Sequence, residues 1–456
     1  MTDLEGKRVL IVGLGASGYA AAELLAKKGA EIKISEQLDG VAVRQRLDLL
    51  APYGVKAQIG MHTADFCGDV DLVVVSPGVD SGSPALRAAL KEGVPVIGEM
   101  ELGFSLSPAT MIAITGTNGK TTTTELIGRI MTVSGKHTIV CGNIGNPLTG
   151  EISKLTPDSV AVVEVSSFQL ETIKKFKPRV AILLNVTEDH YDRHGNIRKY
   201  KGVKFKIFEN QDESDWAVLN ASFREDPLLS GVRSRKVFFG LSGKEDAFVQ
   251  DGWLTVRFGD EISKILKWEG SLIEGAHNME NVACAALAAK IMGVSDQFIR
   301  EGIMTFRGLG HRFERLGTFR GIEYIDDSKG TNIDATRRAL ESLEKKVVLI
   351  AGGRDKGGDY SSVVDVVKDK VKTMVLIGEA QEKMKKTFSS AVPVVLARNM
   401  KDAVRIASAS AASGDAVLLS PMCSSFDMFS SYKERGEVFQ REVKEFHKFP
   451  GIFPRS

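Results

Sequence analysis

Ile112-Ala113-Ile114-Thr115-Gly116-Thr117-Asn118-Gly119-Lys120-Thr121-Thr122 is the stretch that decides the fold. An apolar run of strand type, 111–115, enters a glycine-rich turn, and Lys-Thr then opens a stretch with helical spacing, 121–134. Strand, glycine turn and helix in that order surround a phosphate with backbone N–H groups and a helix N-terminus. Lys120 stands where it reaches the β- and γ-phosphates, and the Thr121 hydroxyl stands where it ligates Mg²⁺. Gly116, Thr117, Asn118, Gly119 and Thr122 complete the expected ATP contacts. Ile114 replaces the first glycine of the strict G-x-x-x-x-G-K-[ST] pattern, so the loop is a variant.

ATP requires a metal, and the metal requires oxygen ligands. Two apolar runs downstream supply them. Run 159–165 contains Ala161-Val162-Val163-Glu164-Val165, a carboxylate inside a strand, where charge is tolerated only when paired or metal-bound. Run 179–185 is followed by Thr187-Glu188-Asp189-His190-Tyr191-Asp192-Arg193-His194. Both ends belong on the sheet edge that carries the phosphate loop, which singles out His190 and His194. Asn143, in Gly142-Asn143-Ile144-Gly145, is a candidate substrate contact. His277-Asn278 precedes a helical stretch, 281–292, with an N-cap as the plain alternative.

The N-terminal part carries a second glycine turn. Run 8–12 leads into Gly13-Leu14-Gly15-Ala16-Ser17-Gly18 and then a helical stretch, 18–28. This G-x-G-x-x-G follows a strand and opens a helix, the arrangement that holds a nucleotide diphosphate. Ser35-Glu36 ends the next run, where an acid can hold a ribose hydroxyl. Ser76-Pro77-Gly78-Val79 follows another run at the same edge and forms the expected opposite wall.

Further apolar runs lie at 31–35, 71–76, 346–351, 373–377 and 415–420. Alternating with helical stretches, they read as buried parallel strands of an α/β protein. Breaks near 107 and 308 divide the 456 residues into three expected domains, 1–107, 108–308 and 309–456. Lys plus Arg number 60 against 58 Asp plus Glu, a balance that gives no global attraction to nucleic acid or an anionic membrane. The N-terminus lacks signal-peptide character and no apolar run reaches the length of a membrane span. The four cysteines, Cys67, Cys141, Cys284 and Cys423, form no C-x-x-C pair, which fits a reducing cytoplasm.

Taken in order, Gly-Thr-Asn-Gly-Lys-Thr, Gly-Asn-Ile-Gly, Glu-Val-Ser-Ser-Phe-Gln-Leu, Asn-Val-Thr-Glu-Asp-His, His-Asn-x-x-Asn and Asp-Asp-Ser-Lys-Gly-Thr-Asn resemble the Mur ligases along the whole chain. Glu164–Leu170 is of the type found in the D-glutamate-adding branch. The resemblance implies a Rossmann-like N-terminal domain, a central P-loop ATPase-type domain with a parallel or mixed sheet, and a Rossmann-like C-terminal domain. It implies ATP, two Mg²⁺ ions, and UDP-N-acetylmuramoyl-L-alanine and D-glutamate as substrates of a cytoplasmic, monomeric ligase.

The resemblance also assigns roles. Lys120, Glu164, His190, Lys204 and Lys329 are implied catalytic residues. Thr121, Glu164 and His190 are implied metal ligands, joined by Lys204 once CO₂ has carbamylated it. Asn278, Arg312 and Asp327 join the ATP contacts. Gly15, Ala16, Ser17, Ser35, Glu36, Gly78, Asn143 and His190 face the UDP substrate. Thr331, Lys356, Ser425, Phe426 and Tyr432 bind the amino acid. Two other readings are an NAD-dependent oxidoreductase, resting on Gly13-x-Gly15-x-x-Gly18 and Glu36, and a nucleotide-binding protein without turnover. The first leaves the phosphate loop unused; the second leaves Lys120, Glu164, His190 and Lys204 unexplained.

Overall fold

A computed structural model describes residues 4–448 apart from 62, 64, 65, 67, 81, 269–275, 307 and 309. Cys67, and Arg307 and Leu309 at the second expected boundary, lie outside the described residues. So do the first three residues of the N-terminus.

The chain forms three sheets. The first contains β1 (Arg8–Val12), β2 (Glu31–Glu36), β3 (Lys56–Ile59), β4 (Leu72–Val75) and β5 (Val96–Gly98). Its order is β3-β2-β1-β4-β5 and every pairing is parallel. Side chains of β1 alternate between two cores. Val9 and Ile11 pack with Ala21 and Leu25 on one face, while Leu10 and Val12 pack with Ala85, Leu86 and Ala89 on the other. This is why the strand reads as continuously apolar rather than alternating.

The second sheet contains β6 (Thr110–Thr115), β7 (Thr138–Gly142), β8 (Val160–Glu164), β9 (Val180–Leu183), β10 (Trp216–Asn220), β11 (Arg235–Gly240), β12 (Ala247–Gln250), β13 (Trp253–Phe258) and β14 (Glu261–Lys267). Its order is β14-β13-β12-β11-β10-β9-β6-β8-β7. The last two strands are antiparallel, so the sheet is mixed. Strand β6 lies between β8 and β9, with Ile114 opposite Glu164 and Thr115 opposite Leu183. The phosphate loop therefore leaves the same sheet edge as the ends of β8 and β9.

The third sheet contains β15 (Glu314–Phe319), β16 (Ile322–Asp326), β17 (Val347–Gly352), β18 (Val371–Ile377), β19 (Val394–Leu396) and β20 (Ala416–Leu419). Its order is β15-β16-β20-β17-β18-β19, parallel except for β15. Leu349 and Ala351 face one core, Val348 and Ile350 the other. Tertiary contacts group the chain into two compact units. One comprises Met1–Asn185, Lys201–Ser271 and Met279–Phe306; the other comprises Val186–Tyr200, Leu272–Asn278 and Arg307–Ser456.

Within the first unit, the helix Glu99–Leu106 joins the first sheet to the second. The buried Glu99 carboxylate accepts from the Thr149 N–H and hydroxyl, both at 2.7 Å. Glu101 accepts from the N–H groups of Lys174, Lys175 and Phe176. Each carboxylate satisfies backbone donors that burial would otherwise leave orphaned.

Candidate functional site

In the first unit the phosphate loop lies between Thr115 and the helix Lys120–Val133. Gly116 has φ +155° and Gly119 has φ +86°, and a Cβ on Gly119 would sit 2.4 Å from Asn281 Oδ1. Glycine is required there both for conformation and for space. Asn185, at the end of β9, clamps the loop. Its Oδ1 accepts from Asn118 N at 2.8 Å, its Nδ2 donates to Asn118 O at 3.0 Å, and its backbone O accepts from Thr117 N at 3.0 Å. Sequence reading assigned Asn185 no role, although it closes an apolar strand with an amide, the available signal.

Lys120 Nζ donates to Gly116 O at 2.9 Å and to Thr117 O at 2.8 Å. Lys204 is 1% exposed, and its Nζ donates to the same Gly116 carbonyl at 2.8 Å. Two lysine ammonium groups thus converge on one loop oxygen, and the buried one belongs to a helix, Ile197–Phe205, far along the chain. Glu164 is 1% exposed. Its Oε1 accepts from Asn143 Nδ2 at 2.7 Å, while Oε2 is buried without a hydrogen-bond partner among the described residues. A buried carboxylate oxygen lacking a donor beside a phosphate loop fits a cation ligand. Burial and the Glu164 charge push the neighbouring Glu125 above the usual carboxylate range. Among the described residues the Thr122 hydroxyl is likewise buried without a partner, and Thr121 is partly exposed at the first turn.

The turn of the first sheet is also in this unit. Gly13 has φ +87°, and a Cβ on Gly18 would lie 1.9 Å from Gly13 O. Ser76 Oγ donates to Gly13 O at 2.7 Å, tying the two walls of the crevice together. Gly15, Ala16 and Gly78 are exposed, Ser17 half-buried and Ser35 buried. Glu36 Oε2 accepts from Leu14 N at 2.5 Å and its Oε1 from Leu38 N at 2.7 Å, so the carboxylate is turned onto the glycine loop's own backbone. Those amides attract a carboxylate for the same reason they attract a phosphate.

The second unit holds the remaining residues. His190 adopts φ +53° and begins the short helix Tyr191–His194. Asp189 beside it accepts from Asn332 Nδ2 at 3.3 Å and lies 3.4 Å from Lys356 Nζ. Asp189, which has no individual role in the sequence analysis, links the His190 segment to the Lys356 loop. His194 is 6% exposed and packs against Tyr200, ring centroids 5.1 Å apart, which makes it a core residue. A cavity of about 490 Å³ is lined by Asp189, His190, Asn332, Arg337, Lys356 and Tyr360 among others.

Three loops meet at the edge of the third sheet. Asp326 closes β16, opposite Leu419 of β20, and Ile350 of β17 pairs with the same Leu419. Asp327 is buried; its Oδ2 accepts from Ser420 Oγ at 2.7 Å and its Oδ1 from Phe313 N at 3.2 Å. Burial raises it to about 7, against the opposing pull of Ser420 and Arg312. Arg312 is half-buried, and Asn278 is buried near the start of the helix Ala276–Ile291. Lys329 Nζ lies 3.8 Å from the Tyr432 ring centroid, a cation–π contact. Ser425 is buried, Thr331 and Lys356 are half-buried, and Phe426 is 63% exposed.

Arg435 braces these loops. It is 1% exposed, its Nε donates to Ser328 Oγ at 3.0 Å, and its Nη2 donates to Ser328 O at 2.9 Å. Nη1 donates to the carbonyls of Cys423 and Ser424, each at 3.2 Å. Burial pulls its pKa down to about 10. One guanidinium fork thus spans two loops that the sequence places about a hundred residues apart. Among the described residues, the other carboxylate–imidazole cluster is His311, Glu314 and Asp326, with Gln440 donating to Glu314 and Asp326.

A mixed sheet carrying a phosphate loop, preceded in the chain by a parallel sheet and followed by one parallel but for β15, fits the Mur ligases, and the sequence agrees throughout. The chain belongs to the Mur ligase family. Its segments match the Mur ligase MurD-like N-terminal domain over residues 7–98, the Mur ligase middle domain over 114–289, and the Mur ligase glutamate ligase domain over 311–423. It is 42% identical to the UDP-N-acetylmuramoylalanine--D-glutamate ligase of Koribacter versatilis, over 97% of this chain and 98% of that one. Two solved structures share the fold. The UDP-N-acetylmuramate-alanine ligase MurC of Thermotoga maritima has a TM-score of 0.59 at 20% identity, covering 98% of this chain and 100% of that chain. The MurF ligase of the same organism, in complex with ADP, has a TM-score of 0.61 at 15% identity, covering 98% and 99%.

Proposed function

We propose that the protein joins D-glutamate to UDP-N-acetylmuramoyl-L-alanine at the cost of ATP, in cytoplasmic peptidoglycan precursor synthesis. The observation that carries this reading is the full-length likeness to a D-glutamate ligase. The phosphate loop agrees with it. We place the domain boundaries near 107 and 308.

A carboxylate is a poor acyl donor because oxide leaves badly. Transfer of the γ-phosphoryl group makes an acyl phosphate, whose phosphate leaves readily. The amine of D-glutamate then attacks, and the tetrahedral intermediate collapses to amide and phosphate. Lys120 offsets charge on the transferring group while the loop amides hold it in line. Glu164, Thr121 and His190 are the residues to hold Mg²⁺, with Lys204 joining them once carbamylated, since CO₂ on a neutral amine turns a cation into an anionic oxygen ligand. Mg²⁺ supplies charge stabilisation to the phosphoryl oxygens. Lys356, Thr331 and Ser425 hold the amino acid, and Lys329 steadies charge near the acyl group. The oxidoreductase and non-catalytic readings are not retained, because neither uses the ligase motifs that run the length of the chain.

The test is phosphate release from ATP and Mg²⁺ with UDP-N-acetylmuramoyl-L-alanine, with and without D-glutamate. Release is expected only with both substrates, and Lys120→Ala is expected to lower it about 10²–10³-fold. Release supported by a different amino acid would keep the chemistry and reassign the substrate.

A further inference from the structure

The loop that carries Lys356 and the loop that carries Ser425 are fastened to each other twice. The first fastening is backbone: Arg354 N donates to Ser424 O at 3.0 Å, and Ser424 N to Arg354 O at 3.2 Å. The second is a side-chain clasp centred on Tyr360, which is 3% exposed. Its hydroxyl donates to Asp355 Oδ1 at 2.9 Å and lies 3.1 Å from Cys423 Sγ, whose S–H donates in turn to the phenol oxygen. Asp355 also accepts from Gly357 N at 3.1 Å and from Lys383 Nζ at 2.7 Å. Burial alone would raise the Asp355 pKa, yet Lys383, the Tyr360 phenol and the Gly357 N–H hold it below the usual carboxylate range. The clasp is therefore built on a carboxylate.

The ring of Tyr360 belongs to a hydrophobic core with Phe388 and Val363. A phenylalanine would fill that space equally well. The hydroxyl is the one polar atom of the side chain, and its bonds run to the two loops beside the substrate residues. Asp355 precedes Lys356 in the chain, and Cys423 lies two residues before Ser425. We propose that Tyr360 is a positioning residue for the amino-acid substrate, its hydroxyl setting the separation between Lys356 and Ser425. The inference rests on the reading above in which these two residues hold the amino acid. Two groups that grip the two carboxylates of one small molecule tolerate little slip between them, because a charge-assisted hydrogen bond weakens steeply as its distance and angle depart from ideal.

The test is steady-state phosphate release by full-length Tyr360→Phe protein. The KM for D-glutamate is expected to rise about three- to tenfold, the effect of one lost hydrogen bond of ordinary net strength. The kcat, and the KM for ATP and for the UDP substrate, are expected to stay within about twofold. Cys423→Ser, which keeps a partner for the phenol, is expected to match the unaltered protein. An unchanged D-glutamate KM in Tyr360→Phe would overturn the proposal, as would an equal rise in the KM for ATP. A lower melting temperature with unchanged KM would show a structural role and also overturn it. If Tyr360→Phe does not accumulate, Asp355→Asn must give the same selective rise. No D-glutamate-dependent release by the unaltered protein would instead overturn the ligase reading, and the assignment of the clasp to that substrate with it.

Discussion

At the scale of single residues, the informative groups are buried and charged. Glu164 is legible as such because its neighbours in the strand are all apolar. Lys204 is not: nothing local separates it from a solvated helix lysine, and its burial against Gly116 arises from a contact 88 residues away. Glu36 is legible as an acid at a strand end, but its orientation toward Leu14 is decided by the amides it meets. Asp327 provides a test of burial. An unfolded aspartate ionises near pH 4, whereas burial holds this one protonated up to about 7. The folded state therefore binds more protons across that window, so stability falls as pH rises from about 4 to 7 and levels off above. Asp327→Asn is expected to remove this slope. In urea titrations, the unaltered protein should lose on the order of a few kcal/mol relative to the variant between pH 4.5 and 7.5. Parallel curves at all pH values would contradict the burial argument.

At the scale of elements, the turns behave as their glycines demand. Gly18 is the sharpest case: its missing Cβ leaves room for the carbonyl of Gly13, and the first turn of the helix Ala16–Lys27 packs onto the strand end. Gly18→Ala is expected to force that turn open, at about 1–3 kcal/mol of stability. The urea midpoint should fall and the KM for the UDP substrate should rise, with the KM for ATP unaffected. An alanine variant with normal stability and substrate binding would show that the turn has slack.

The strands 216–267 are among the elements absent from the sequence reading. Strand β14 mixes exposed and buried residues, so it lacks the continuous apolar run that marked the parallel strands. Strands β3, β5 and β19 have only three or four residues each, too short for a periodic signal. The helix Tyr432–Lys448 is amphipathic in sequence, yet its decisive residue is Arg435, whose acceptors are carbonyls that no sequence pattern reveals.

At the scale of the whole molecule, the two compact units each carry their own hydrophobic cores. Unfolding in calorimetry is therefore expected in more than one step. A non-hydrolysable ATP analogue with Mg²⁺ should raise the transition of the unit that contains Lys120. At a hundredfold excess over its Kd, the gain is about 2.7 kcal/mol. D-Glutamate should raise the transition of the unit that contains Lys356. A single transition, shifted equally by either ligand, would show that the units unfold as one.

The family, the α/β class, the phosphate loop and the order of the ligase motifs were legible in the chain alone, because each is written in neighbouring residues: an apolar run, a glycine that must take positive φ, a lysine at a helix start. Which distant groups meet came from the folded structure. Lys120 and Lys204 share a carbonyl, Asn185 clamps the loop, Arg435 braces two turns, and Tyr360 joins Asp355 to Cys423. The reason is physical. Backbone geometry and periodic burial are local properties of the chain, whereas the partner of a buried polar group is whatever the packing of separate strands and loops brings within about 3 Å.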